Sequence, residues 1–210
     1  MINISSRYAV NSPYTQTFSQ NMPASGWTYY ASTPNGRIQQ TVGCLRMDTH
    51  TDQDQNLNEA ILHIDLSDMT HVHLNFFQKS IDSEAFTSLP DVFTGHYNGD
   101  GLSISTDGHT WYRLTSNNLS TNDNGNNYSI DLSAKESAIQ ASHDENFHLN
   151  QFVQIKFQQY GNQSYPSGGR EWDNISVTST KQDTIQFQQN AYDSQGWLYP
   201  YPRAAQWQSE

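Results

Sequence analysis

The stretch Ala60-Ile61-Leu62-His63-Ile64-Asp65-Leu66, followed after Ser67-Asp68-Met69-Thr70 by His71-Val72-His73-Leu74-Asn75-Phe76-Phe77, decides the fold class. In both runs an apolar side chain falls at every second position, Leu62, Ile64 and Leu66 and then Val72, Leu74 and Phe76. His, Asp and Asn fill most of the alternate places. A period of two sends successive side chains to opposite faces of a strand, so each run reads as a strand with one face buried. The short polar connection predicts that the two pair as an antiparallel hairpin.

Working outward, the same signals recur along the chain. Gly26 to Tyr30 and Gly36 to Val42 read as early strands either side of Thr33-Pro34-Asn35. Val42 to Met47 is a further apolar run. Gly101 to Ser105 meets Thr110 to Leu114 across Thr106-Asp107-Gly108-His109, and Asp-Gly between strands is among the strongest hairpin signals. Tyr128 to Leu132, Phe152 to Tyr160 and Ile175 to Thr178 complete the set, with Val153, Ile155 and Phe157 pointing inward. Only Ser133 to Ala141 reads as helix. Many antiparallel strands without βαβ spacing predict an all-β, two-sheet antiparallel β-sandwich of jelly-roll type.

Composition narrows the function. Ten Lys and Arg against 21 Asp and Glu leave a net charge of −11, which offers no attraction to phosphate backbones or anionic lipid. Nucleic-acid binding is not expected. The 19 Asn, 20 Gln, 24 Ser and 17 Thr make the surface polar through amides and hydroxyls, while 5 Trp, 12 Tyr and 9 Phe supply more ring than a coreless chain carries. No run approaches the ~18 apolar residues of a spanning helix, so membrane insertion is not expected, and Met1 to Ser6 do not read as the basic and apolar regions of a signal peptide. The single cysteine, Cys44, forms no internal disulfide and reads as a small packed side chain.

Several landmarks fall in a telling order: Phe18 with Gly26-Trp27; Asn58-Glu59-Ala60-Ile61-Leu62-His63-Ile64-Asp65-Leu66-Ser67; Asp100-Gly101-Leu102-Ser103-Ile104-Ser105-Thr106-Asp107-Gly108; and Gln158-Gln159-Tyr160-Gly161-Asn162, then Gly169-Arg170-Glu171-Trp172-Asp173-Asn174-Ile175-Ser176-Val177. This order resembles the MAM-like and carbohydrate-binding-module-like jelly rolls of bacterial extracellular multidomain proteins, with concanavalin-like or galactose-binding-like sandwiches. The resemblance spans about residues 15–180. It implies an extracellular or cell-surface location, a polysaccharide or glycan partner, and a structural calcium ion tied to the last strand. Asp173 is the position that maps onto that ion. Ser19 stands where the family carries an acidic residue, so Asp48 and Glu59 are the carboxylates expected to supply the missing charge, since calcium takes six to eight oxygens.

Two ligand surfaces follow. If the apolar sets above face the core, His63, Asp65, His71, His73, Asn75, Gln154, Lys156, Gln158 and Tyr160 share the opposite face, which suits sugar hydroxyls. His63, His71 and His73 would be near enough there for a zinc site as an alternative. The connection from Tyr160 to Trp172 offers a second surface through Tyr160, Tyr165, Arg170 and Trp172. A glycoside hydrolase needs two carboxylates about 5–9.5 Å apart, and the nearest pair in sequence, Asp144-Glu145, sits in a polar loop. The sequence therefore points to a non-catalytic, calcium-stabilised carbohydrate-binding module. A structural or protein-interaction repeat of a large adhesin and a polysaccharide-cleaving enzyme, hydrolase or lyase, are the alternatives.

Residues 1–180 read as the module and 181–210 as an extension. Phe187-Gln188-Gln189-Asn190 with Gly196-Trp197-Leu198-Tyr199 echoes Phe18-Ser19-Gln20-Asn21 with Gly26-Trp27-Thr28-Tyr29. The extension is expected to begin a neighbouring module or to add a strand to this one.

Overall fold

A computed structural model describes residues 9–181, apart from 20–23, 42, 53, 83–84, 116–118, 120 and 122. The echo at 187–199 lies outside the described residues. In chain order the elements are β1 (Val10–Asn11), β2 (Tyr14–Gln16), β3 (Trp27–Ala31), β4 (Gly36–Thr41), β5 (Cys44–Thr49), β6 (Asn56–Asp65), β7 (Met69–Ser80), β8 (Val92–Thr94), β9 (Gly101–Ser105), β10 (Thr110–Arg113), β11 (Asn126–Asp131), α1 (Leu132–Ser142), β12 (Val153–Gly161) and β13 (Arg170–Lys181). The protein is an all-β sandwich of jelly-roll type with two mainly antiparallel sheets.

The seven-stranded sheet runs β1-β6-β12-β9-β10-β8, with β3 also paired to β6. The six-stranded sheet runs β11-β7-β13-β5-β4, with β2 also paired to β13. One expectation is overturned at this level. The runs at 60–66 and 71–77 do not pair with each other: β6 pairs with β12, β3 and β1, whereas β7 pairs with β13 and β11. Alternation dictates only that each strand buries one face, and two strands facing each other across a sandwich satisfy it as well as two neighbours do.

The core lies between the sheets. Leu62, Ile64, Ile155 and Phe157 from the seven-stranded sheet meet Leu45, Val72, Leu74, Trp172 and Val177 from the other, all with no exposure. The Phe157 ring lies 5.3 Å from Trp172 at 76° and 6.1 Å from Phe76 at 89°, edge-on contacts of the kind aromatic quadrupoles favour, and 5.5 Å from Trp27 at a tilt of 38°. Helix α1 starts at Asp131, whose carboxylate accepts the Ala134 N–H at 2.9 Å as an N-cap. The Ser133 hydroxyl accepts the Val72 N–H at 2.9 Å and ties the first turn to β7.

The Asp107-Gly108 turn forms as its sequence predicts. Asp107 Oδ1 accepts from the His109 and Thr110 N–H groups at 2.8 Å, and Gly108 sits at φ +72°, where a side chain would be strained.

Candidate functional site

The split between β6 and β7 divides the expected polar face in two. His63, Gln154, Lys156, Gln158 and Tyr160 lie on the outer side of the seven-stranded sheet, while His71, His73 and Asn75 belong to β7, in the sheet across the core. The grouping of all these residues into one sugar-binding surface is therefore corrected, as is the zinc site from His63, His71 and His73. The two sets are separated by the apolar layer. His71 is exposed at φ +52°, and Asn75 Nδ2 lies 3.5 Å from the Ser176 hydroxyl.

The outer side of the seven-stranded sheet is itself covered over β9, β12 and the adjoining part of β6, while Thr28 and Tyr30 of β3 stay exposed. From β8 at the sheet edge, residues 95–100 pass over β9 and β12 as far as β6 and return to the start of β9. His96 Nδ1 meets Glu59 Oε2 at 2.7 Å and its ring stacks on Tyr30 of β3 at 3.8 Å. Beneath this strap, Lys156 donates to the Gly95 carbonyl at 2.8 Å and to Glu59 Oε1 at 3.1 Å, and its ammonium sits 3.9 Å from the Trp111 ring centroid. Burial pulls the lysine below its ordinary range, and Glu59 opposes that pull. Gln158 donates to the Tyr97 carbonyl at 3.0 Å. Leu89, Phe93 and Trp111 form a small apolar cluster under the strap, packed against Ile61. Glu59 and Gln158 have no exposure and Lys156 keeps 1%. Gln158, expected on an open face, is thus a buried structural amide.

Arg170 and Trp172, expected at an exposed edge, are corrected too, since neither has any exposure. Trp172 is a core ring. Arg170 Nε donates to Asp100 Oδ1 at 2.8 Å and Arg170 Nη2 to the Ala85 carbonyl at 3.2 Å. Asp100 also accepts from the Thr87 N–H at 2.8 Å and the Tyr160 N–H at 3.1 Å. This buried pair clamps the 85–87 segment to the end of β12. Gly169 makes the approach possible: a Cβ there would stand 2.8 Å from the Met47 carbonyl, and its φ is +112°.

Between the clamped segments lies a cleft of about 260 Å³, lined by Gln55, Ala85, Thr87, Tyr160, Gly161, Asn162 and Gln163. Of the sequence-derived ligand residues it contains Tyr160 alone. Tyr165 lies beyond it, 49% exposed, with the Arg46 guanidinium 3.6 Å from its ring centroid. Asn162 and Gln163 follow Tyr160 after one glycine and were open to sequence reading. Ala85 and Thr87 were not, because only the Arg170–Asp100 pair brings them there.

The lining presents amide donors and acceptors, the hydroxyls of Thr87 and Tyr160 and one aromatic ring, with no lysine, arginine, histidine or carboxylate among them. Such a set can hydrogen-bond neutral hydroxyls and stack on an apolar ring face. A larger cavity of about 500 Å³ lies between β11 and α1, where Leu114, Leu119, Ile130, Ala134 and Ala138 share the walls with Thr115, Tyr128, Ser129 and the charged Asp131 and Lys135.

The carboxylates expected to hold calcium do not fit that role together. Asp48 is buried against the Arg37 guanidinium and accepts the Tyr165 N–H at 3.0 Å. Glu59 is held by Lys156 and His96. Each already has an internal cation. Asp173 lies on the outer side of the other sheet opposite Phe77, and its buried Oδ1 has no hydrogen-bond partner among the described residues. No group of three or more His, Cys, Asp or Glu among the described residues is placed to hold a metal ion.

No family model matches the chain, and no curated protein does. Among solved structures it is similar to the N-terminal cellulose-binding domain of β-1,4-glucanase C from Cellulomonas fimi, at 15% identity and TM-score 0.42 over 78% of this chain and 93% of that one. It is also similar to the family 11 carbohydrate-binding module of the cellulase Lic26A-Cel5E from Clostridium thermocellum, at 13% identity and TM-score 0.43 over 82% and 97%. A third likeness is to the tandem CBM22-1-CBM22-2 domain of Xyn10C from Paenibacillus barcinonensis, at 10% identity and TM-score 0.42, where 80% of this chain covers 45% of that one. The fold assignment stands on the strand pairing of this chain itself.

Proposed function

We propose that this protein is a non-catalytic carbohydrate-binding module that recognises an uncharged polysaccharide or cell-surface glycan outside the cell. The observation that carries this reading is the lining of the 260 Å³ cleft, where Tyr160 offers a ring and Gln55, Thr87, Asn162 and Gln163 offer uncharged hydrogen-bonding groups. Sugars are neutral, hydroxyl-rich and flat-faced, and these are the groups that match them. Hydrolysis would require two carboxylates at the scissile bond, and the lining residues include none.

A small, wet cleft with one ring yields about 4–7 kcal/mol, so oligosaccharide dissociation constants on the order of 10–1,000 μM are expected. A glycan array followed by titration calorimetry tests this. Binding that falls at least tenfold in Asn162→Ala and Gln163→Ala, with no sugar released from the bound polymer, supports the reading. Failure to bind any glycan overturns it, and release of reducing ends would make the protein an enzyme instead.

A further inference from the structure

A polymer can be held along its length or by its end. The first needs an open trough several sugar residues long; the second needs a pocket whose depth is closed. On this sandwich the outer side of the seven-stranded sheet is one broad surface along which a chain could lie. The strap at residues 95–100 occupies its middle, over β12 and the adjoining part of β6, while Thr28 and Tyr30 of β3 stay exposed. Lys156, Gln158 and His96 fasten that strap at 2.8, 3.0 and 2.7 Å to groups on both sides of the contact. The side chains beneath, Glu59, Ser103 and Gln158, have no exposure.

Farther along β9 and β12, Ser105 has no exposure and Gln154 keeps 9%, beneath the Asp107-Gly108 turn. A Cβ on Gly108 would stand 2.8 Å from Gln154 Nε2. This part of the face is covered as well.

The strap ends where the cleft begins. Asp100, its last residue, donates its N–H to the Thr87 carbonyl at 2.7 Å and accepts the Thr87 N–H at 2.8 Å through its carboxylate. The same carboxylate holds the Tyr160 N–H at 3.1 Å. One buried acid therefore fixes the strap, one wall of the cleft at Ala85 and Thr87, and the opposite wall at Tyr160. The covering of the sheet and the shaping of the cleft are a single construction.

Resting on the carbohydrate reading, we infer that the cleft takes the terminal one or two sugar residues of a neutral glycan, entering end-on, and not the interior of a chain. Its volume lies just below the ~300–1,000 Å³ of ordinary small-molecule sites, which suits a chain end. Its uncharged lining excludes sugars that depend on ion pairing for affinity, such as uronates and sulfated residues.

The test uses arrays of neutral gluco-, xylo-, manno- and galacto-oligosaccharides from di- to hexasaccharide, together with their parent polymers before and after partial acid hydrolysis. An end-binder gains nothing from added length, so dissociation constants should agree within about threefold from di- to hexasaccharide. Partial hydrolysis multiplies chain ends without adding sugar, so inhibition per gram of polymer should rise in proportion to the ends created.

Affinity that climbs tenfold or more with length, together with inhibition per gram that does not rise on hydrolysis, would overturn end recognition while leaving carbohydrate binding intact. Binding to no glycan overturns both. Asn162→Ala should weaken binding at least tenfold, and Tyr97→Ala, on the outer surface of the strap, should leave it within twofold. The reverse pattern would place the ligand on the strap and defeat the proposal.

Discussion

The imidazole of His63 meets the Thr28 hydroxyl through Nε2 at 2.8 Å, and its Nδ1 is buried without a hydrogen-bond partner among the described residues. The protonated ring carries an N–H at both nitrogens, the one at Nδ1 unsatisfied, and burial holds the group below the ordinary histidine range. A folded-state value below the unfolded one means that the contribution to stability is complete above the unfolded value, about 6.5, and is lost as pH falls through the folded one. The melting temperature of the native chain should therefore drop relative to His63→Gln between about pH 7.5 and about pH 5. Parallel pH profiles for the two proteins would exclude this account. Glu171, 6% exposed, is held from two sides, by Arg46 Nε at 2.7 Å and Lys79 Nζ at 2.8 Å. Burial raises its carboxyl, but the two cations outweigh burial and leave it below the usual carboxylate range. Glu171→Gln leaves both cations facing a neutral amide and should cost about 1–3 kcal/mol in urea denaturation.

Among the elements, α1 and the strap give contrasting expectations. The helix cap is local, so Asp131→Ala should cost about 1 kcal/mol. The strap rests on a buried ion pair. Lys156→Met removes the cation that Glu59 was buried with and should cost about 3–5 kcal/mol. Converting Glu59 as well, in Lys156→Met with Glu59→Leu, should recover much of the loss, because an apolar pair of similar size often replaces a buried ion pair without cost. A double variant less stable than the single one would show that His96 and the Gly95 carbonyl depend on the charges. These elements also show what a sequence can reveal. The strands at 60–66, 71–77, 101–105 and 153–160, and the helix, are legible because alternation and turn residues act within a few positions. The partners of β6 and β7 are not, since both pairings bury the same faces. Nor are the roles of Lys156 and Arg170: Glu59 lies 97 positions away from the first and Asp100 lies 70 from the second. Of the candidate site, Tyr160 and its two following amides were readable, and the opposite wall was not.

At the scale of the whole molecule, two expectations concern what the sandwich requires. Asp48 and Glu59 are neutralised by Arg37 and by Lys156, so a chelator should leave the melting temperature within about 1 °C, where a bound ion would have added stability by mass action. A larger drop, restored by calcium, would locate an ion that these two carboxylates do not hold. Second, both sheets and the buried cluster are built from residues 10–181. A chain ending at residue 181 should unfold cooperatively, with a midpoint within a few degrees of the full chain. If it fails to fold, the last 29 residues are integral to the sandwich.

The placement of Trp111 has an optical consequence. Its side chain is 2% exposed, beside its cross-strand partner Phe93 and faced by the Lys156 ammonium, whereas Trp172 lies between the sheets with no exposure. Lifting the strap would take the Gly95 carbonyl from Lys156 and open that ammonium and the first indole to water, while leaving the second dry. In the form ending at residue 181, which keeps Trp27, Trp111 and Trp172, a red shift in emission before the main unfolding transition would therefore report the strap opening by itself. Trp111→Phe should abolish that early shift and preserve the later one.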